Sequence, residues 1–281
     1  MDLKKLLTAG LFVAAASAQA QAPMERGKYL VEGILTCGNC HTPRGPGGVL
    51  DTARRHAGGS QVWDTPEYNV RPSNITPDKE TGIGGWSAQD VKRATRDGKR
   101  PGGQQISPQM PYGFYKIFTP ADLDAVVAYV RAQPPVANKV APPVYKVKAM
   151  RVDVPPGAEK PMPESAMKDP VKRGFYLVTI GHCMECHTPT VKGRRDYKNA
   201  LGIGGEKFEG PWGVTVARNI TSHKENGIGA WSDDEIKRAI TQGVRKDGAK
   251  MRPPMGFSWY ATVTDADLSA IVAYLRKLPP K

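Results

Sequence analysis

Two stretches of the chain carry the same helical stripe. Leu123, Val126, Val127 and Val130 fall at i, i+3, i+4 and i+7, as do Leu268, Ile271, Val272 and Leu275, which predicts an amphipathic helix in each place. Thr119 before Pro120, and Thr264 three residues ahead of Asp267, supply the starts, with Thr as N-cap and, in the first case, proline at the first helical position. Ser87-x-x-Asp90 and Ser232-x-x-Glu235 have the capping-box pattern and open two further helices, expected to stop near Gly98 and Gly243. A different pattern opens the chain. Lys4 and Lys5 precede an apolar run from Leu6 to Ala18, shorter than the roughly 20 residues a spanning helix needs, and Ala18-Gln19-Ala20 has the small-x-small form of a cleavage site. Residues 1–20 are therefore expected to be a cleaved signal peptide, and the rest to be exported to the periplasm.

The helical patterns recur because the sequence recurs. Asn74 to Ser87 (NITPDKETGIGGWS) and Asn219 to Ser232 (NITSHKENGIGAWS) agree at ten of fourteen positions. Ala121 to Pro135 and Ala266 to Pro280 agree at ten of fifteen, at the same offset of 145 residues. Upstream, Arg26-Gly27-Lys28-Tyr29-Leu30-Val31 is answered by Arg173-Gly174-Phe175-Tyr176-Leu177-Val178. Such self-similarity means two copies of one unit, expected at residues 21–133 and 170–281. Between them, residues 134–170 carry nine prolines and lack helical periodicity, so 134–169 reads as an extended strap whose Lys139, Lys146 and Lys148 offer a docking surface. Gly27 and Gly174 are expected to let the first helix of each unit approach the last, near Tyr129 and Tyr274. Gly plus Pro make 55 of 281 residues, about a fifth, which allows many turns but excludes a disordered or collagen-like chain.

The four cysteines are Cys37, Cys40, Cys183 and Cys186, and each pair forms C-x-x-C followed directly by His41 or His187. In an exported chain, C-x-x-C-H twice points to two covalently bound c-type haems. Two thiols two residues apart suit thioethers to the two vinyl groups of one porphyrin, and the adjacent imidazole then reaches the iron. A redox C-x-x-C needs no histidine after it, and one shared zinc site leaves the repetition unexplained.

With these residues in view, the chain resembles class I cytochromes c. More closely, it resembles bacterial exported di-haem cytochromes c related to the cytochrome subunits of periplasmic alcohol and sugar-acid dehydrogenases. The resemblance rests on the C-x-x-C-H pair, the glycine-led first helix, the N-I-T-x-x-x-E-x-G-I-G-x-W loop and the D-L-x-A-x-V-A-Y last helix. It implies a mainly α fold of two tandem class I cytochrome c domains joined by the Pro-rich strap. It also implies a methionine before each last helix as sixth iron ligand, and His/Met ligation raises the potential. In the first copy that is Met110; in the second, the 145-residue offset selects Met255 over Met251, which aligns with Ile106. His182 sits on the proximal side, and His56 and His223 lie in loops, so none is assigned to iron. Trp86, Trp231, Asn74 and Asn219 occupy matched loop places, as donors to haem propionates or as loop anchors.

Lys plus Arg number 40 against 27 Asp plus Glu, a net +13; losing Asp2, Lys4 and Lys5 with residues 1–20 leaves +12. Two ferric haems with ionised propionates lower this to roughly +10. A basic exported chain is steered to acidic docking surfaces or anionic lipid headgroups, while nucleic acid is the wrong partner for the compartment and no binding motif is present. The expected function is one-electron transfer between redox protein partners, namely a periplasmic dehydrogenase, another cytochrome or an oxidase. The alternative is a haem enzyme, a di-haem peroxidase or thiosulfate-oxidising cytochrome, which requires an open distal position that Met110 and Met255 close. A haem-based sensor lacks an output segment.

Overall fold

The computed structural model describes residues 23–148, 150 and 152–281; the expected signal peptide lies outside them. Two mainly helical domains follow one another. The first contains α1 (residues 23–32), α2 (Cys37–His41), α3 (Ala88–Asp97) and α4 (Pro120–Arg131). The second contains α5 (Pro170–Ile180), α6 (Cys183–Cys186), α7 (Asp233–Gln242), α8 (Phe257–Tyr260) and α9 (Asp265–Leu275).

The helix signals act as the sequence predicts. Ser87 and Ser232 accept from the backbone N–H groups of Asp90 and Glu235, whose carboxylates reach back to complete both capping boxes. Gly98 and Gly243 end α3 and α7 at φ 64°, a left-handed conformation that glycine adopts without steric cost. Thr119 and Thr264 cap α4 and α9, and the stripes Leu123/Val126/Val127/Val130 and Leu268/Ile271/Val272/Leu275 are buried. Gly27 and Gly174 meet the last helices at close range. A Cβ at Gly27 falls 2.1 Å from the Ala125 carbonyl oxygen, and one at Gly174 falls 1.9 Å from that of Ala270, beside Tyr129 and Tyr274 respectively.

Small strands were not foreseen. β1 (Trp63–Asp64) and β2 (Tyr68–Val70) form an antiparallel pair in the first domain, and β3 (Val144–Tyr145) joins β2 from the strap. In the second domain β4 (Thr190–Val191) pairs with β5 (Arg194–Arg195), and β6 (Lys207–Gly210) with β7 (Gly213–Val216). At two to four residues they are too short to set up an alternation that can be read.

The strap is extended and fastened along its length. Asn138 donates to Ala57 O (2.7 Å), Lys146 donates to Asp64 Oδ1 (2.9 Å) and Thr65 O (2.7 Å), and Met162 N–H reaches Ile117 O (2.9 Å). Lys146 therefore holds the strap to the first domain and is not a free docking charge, a correction to the expectation; Lys139 and Lys148 stay exposed.

Across the domain boundary the contacts are reciprocal. Tyr29 of α1 donates to Asp267 of α9 (2.6 Å), and Tyr176 of α5 donates to Asp122 of α4 (2.6 Å). Each carboxylate also holds its own domain's arginine: Arg26 Nε and Nη2 lie 2.7 and 2.8 Å from Asp122, and Arg173 Nε lies 2.6 Å from Asp267. Burial alone lowers the Arg26 pKa, yet the bidentate bond to Asp122 outweighs it and the net shift is upward. A single apolar core, from Leu30 through Phe118 and Tyr176 to Leu278, runs through both domains.

Candidate cofactor sites

Each C-x-x-C-H segment is a short helix entered through a left-handed residue, Thr36 (φ 50°) before α2 and His182 (φ 42°) before α6. One helical turn brings the paired sulfurs to the same side. Burial pushes the thiols of Cys37, Cys183 and Cys186 up to about 12 and that of Cys40 upward too. All four stay protonated, unlike the depressed thiolates of C-x-x-C oxidoreductases.

The two histidines are held alike. His41 Nδ1 lies 2.7 Å from Ser73 O, and His187 Nδ1 lies 2.7 Å from Arg218 O. A carbonyl can only accept, so Nδ1 carries the proton, and Nε2 is left as a lone-pair donor with a fixed direction. Burial lowers both imidazole pKa values and keeps the rings in the neutral, ligating form.

Met110 and Met255 are partly buried and pack against the same apolar core as Cys37 and Cys183. Five residues beyond each lies a buried tyrosine, Tyr115 or Tyr260, within electrostatic reach of its own domain's thiol pair. Met251 donates its N–H to Gly243 O as Ile106 does to Gly98 O, in keeping with the 145-residue alignment that separates it from Met255.

The loop asparagines serve as anchors. Asn74 donates to Thr81 Oγ1 and Val136 O and accepts from the Thr76 N–H, while Asn219 donates to Lys281 O and accepts from the Thr221 N–H. His223 Nδ1 accepts from the backbone N–H groups of Glu225 and Asn226, a turn contact. His182 lies 3.2 Å from Glu185. His56 is fully buried at φ 62°; among the described residues neither ring nitrogen has a hydrogen-bond partner, and Glu32 lies 3.7 Å away.

Sequence reasoning missed three features. The carbonyls of Ser73 and Arg218 leave no side-chain signal. Trp259 reaches across the boundary to Gly38, between Cys37 and Cys40, where a Cβ would fall 2.5 Å from the indole; its repeat partner Phe114 lies 6.4 Å, ring to ring, from His182. The matched positions of Phe114 and Trp259 were readable, but their crossed contacts were not. These contacts bring the two C-x-x-C-H helices together at the domain boundary.

Buried donors test whether haem suits these residues. Arg100 Nε, near His41, and the Tyr197 hydroxyl, near Cys186, are buried with no hydrogen-bond partner among the described residues. Such an orphan costs about 1–3 kcal/mol, and the propionates of haem are acceptors of the kind missing. With the protonated thiol pairs and oriented imidazoles, the residues fit the group.

Tandem helical domains, each with an oriented C-x-x-C-H histidine and a methionine-bearing loop, define a class of covalent haem proteins. The chain belongs to the cytochrome c family, whose description matches residues 24–134 and 171–279. It is similar to the fructose dehydrogenase cytochrome subunit of Gluconobacter japonicus, at 32% identity over 94% of this chain and 54% of that protein. It is also similar to the gluconate 2-dehydrogenase cytochrome c subunit of Pantoea cypripedii, at 31% identity over 96% of this chain and 63% of that protein. A diheme cytochrome c-type protein of Cereibacter sphaeroides matches at 29% identity over 86% of this chain and 82% of its own length. The chain thus spans about half the length of the fructose dehydrogenase subunit.

Proposed function

We propose that this electron-transfer cytochrome carries two haems, one on Cys37, Cys40 and His41 with Met110 opposite, the other on Cys183, Cys186 and His187 with Met255 opposite. The observation that carries the reading is the repeated histidine geometry, two half-buried C-x-x-C-H imidazoles each fixed through Nδ1 to a backbone carbonyl at 2.7 Å. Haem, when bound, supplies an iron that cycles between ferric and ferrous states. The protein's residues do the rest. The thiols anchor, the histidines present Nε2, the methionines close the far side, and the apolar core with Tyr115 and Tyr260 keeps water out. Contact of Trp259 with Gly38 makes the two sites neighbours across the boundary.

The chain is read as exported to the periplasm, where it exchanges single electrons with a protein partner. The dehydrogenase cytochrome subunits among its relatives favour a dehydrogenase as donor. Its net positive charge, +13 for the full sequence and +12 without residues 1–20, favours acidic docking surfaces. The test combines pyridine haemochrome and intact-mass analysis with carbon monoxide titration of the reduced holoprotein. Two covalent haems, inert to carbon monoxide until Met110→Ala or Met255→Ala opens one of them, are expected. A wild-type haem that takes up carbon monoxide would refute the closed-carrier reading in favour of a haem enzyme.

A further inference from the structure

The two domains differ at one sheet edge. In the first domain the strap strand β3 covers β2, with Val144 opposite Asn69 and Tyr145 opposite Tyr68. Lys146 N–H donates to Glu67 O at 2.8 Å, so by antiparallel alternation the 69/144 pair is hydrogen-bonded as well. The side chain of Lys146 then clamps Asp64. The same hairpin stands in the second domain: Glu209 opposite Val214 reproduces Asp64 opposite Asn69, 145 residues on. Nothing among the described residues covers it.

The register shows which groups are free. Ala217 N–H donates to Glu206 O at 2.8 Å, so the alternate pairs 208/215 and 210/213 use the inner edge, and the main chains of Val214 and Val216 face outward. Among the described residues no hydrogen bond reaches those main-chain groups from outside the hairpin, and Glu209, the counterpart of Asp64, has no ion pair. Val214 is 55% and Val216 40% exposed. Gly213–Val216 has none of the charges that usually guard an edge strand. The hairpin also touches the segment that bears Met255, since Arg252 Nη1 donates to Trp212 O at 3.4 Å.

We propose that the free edge of β7 is a docking site for an extended, proline-led strand of a partner protein, added antiparallel as β3 is added to β2. The chemistry of the occupant follows from the covered copy: prolines ahead of the strand, an aliphatic residue opposite Val214, and a lysine or arginine two residues later to pair with Glu209. Main-chain bonds give affinity and the lysine fixes register. Such a strand lies beside the Met255 segment.

The probe is the decapeptide of residues 139–148, KVAPPVYKVK, titrated into the holoprotein by fluorescence anisotropy, with amide hydrogen exchange mapping the contact. Binding with a Kd below about 1 mM and slowed exchange at Val214 are expected. Val214→Pro, which removes only the outward N–H, should weaken binding at least about tenfold, and Glu209→Lys, an exposed charge reversal, about fivefold. Unchanged haem and circular dichroism spectra establish that both variants fold. Absence of binding, or protection at Asn69 with Val214 unaffected, would overturn the proposal. So would self-association of the holoprotein that Val214→Pro abolishes, which would assign the edge to a second copy.

Discussion

Removing one hydroxyl from the domain boundary tests whether the reciprocal carboxylates hold the halves together. Tyr176 is completely buried and donates at 2.6 Å to Asp122, itself only 7% exposed. Tyr176→Phe deletes that donor, keeps the ring in place and leaves the carboxylate with Arg26. A hydrogen bond to a charged group contributes about 1.5–3 kcal/mol. Tyr29→Phe deletes the matching bond to Asp267, but Tyr29 is only half-buried, so water replaces part of it and the cost falls to about 1–2 kcal/mol. Arg26 lies 2.7 Å from Asp122 and 4.0 Å from Asp267, so the networks share a cation and the double variant should be non-additive by about 0.5 kcal/mol or more. The assay is guanidinium unfolding of the holoprotein. With a slope of about 5 kcal/mol/M for a chain of this size, Tyr176→Phe should lower the midpoint by about 0.3–0.6 M. A shift below about 0.1 M would refute the claim that these bonds stabilise the docked pair.

Three further outcomes follow from the same structure. Asn74→Ala should cost about 2–3 kcal/mol and speed proteolysis near Val136, whereas Asn219→Ala, at a more exposed loop, should cost about 1, both read from denaturation midpoints. Gly174→Ala places a methyl 1.9 Å from a backbone oxygen, and overpacking of about 1–3 kcal/mol or more exceeds the about 1 kcal/mol gain in helix propensity, so Tm should fall in a thermal scan. Burial first, with the positive charge of Arg55 nearby, holds the His56 pKa at about 3, against about 6.5 in an unfolded chain. As pH drops below about 6.5 the unfolded chain takes up a proton that the native one refuses, so stability is lost downward through this window. Between pH 7 and pH 5 this group removes about 2 kcal/mol, and His56→Asn should abolish that part of the slope in pH-dependent denaturation.

What was legible in the sequence was whatever has a fixed local spacing. Ser87 and Asp90, Thr119 and Pro120, or Cys37, Cys40 and His41 act within one or two helical turns, so their roles can be read without knowing the fold. The 145-residue repeat is likewise what proposes Met255 over Met251, and the matched N–H bonds of Met251 and Ile106 follow the same offset. The acceptors for His41 and His187 escaped because they are carbonyls, the same at every residue. The strands escaped because Val144–Tyr145 becomes a strand only by meeting Tyr68 and Asn69, some 75 residues earlier in the chain. Lys146 was misread for a related reason: a lysine in an extended basic stretch looks free until Asp64 is found beside it. The crossing of Trp259 to Gly38 and of Phe114 to His182 depends on docking, which no window of one domain contains.

The exchange of Tyr29 with Asp267 and of Tyr176 with Asp122 has the form of an isologous dimer interface, in which residue i of one subunit meets j of the other and j meets i. A fused chain has no need of that symmetry, since its halves are tethered and free to diverge. Its presence points to an ancestor of one domain that paired with itself about a two-fold axis before duplication joined the copies. On that history, the two C-x-x-C-H helices faced one another before the strap existed, and the strap made permanent an encounter that had depended on concentration.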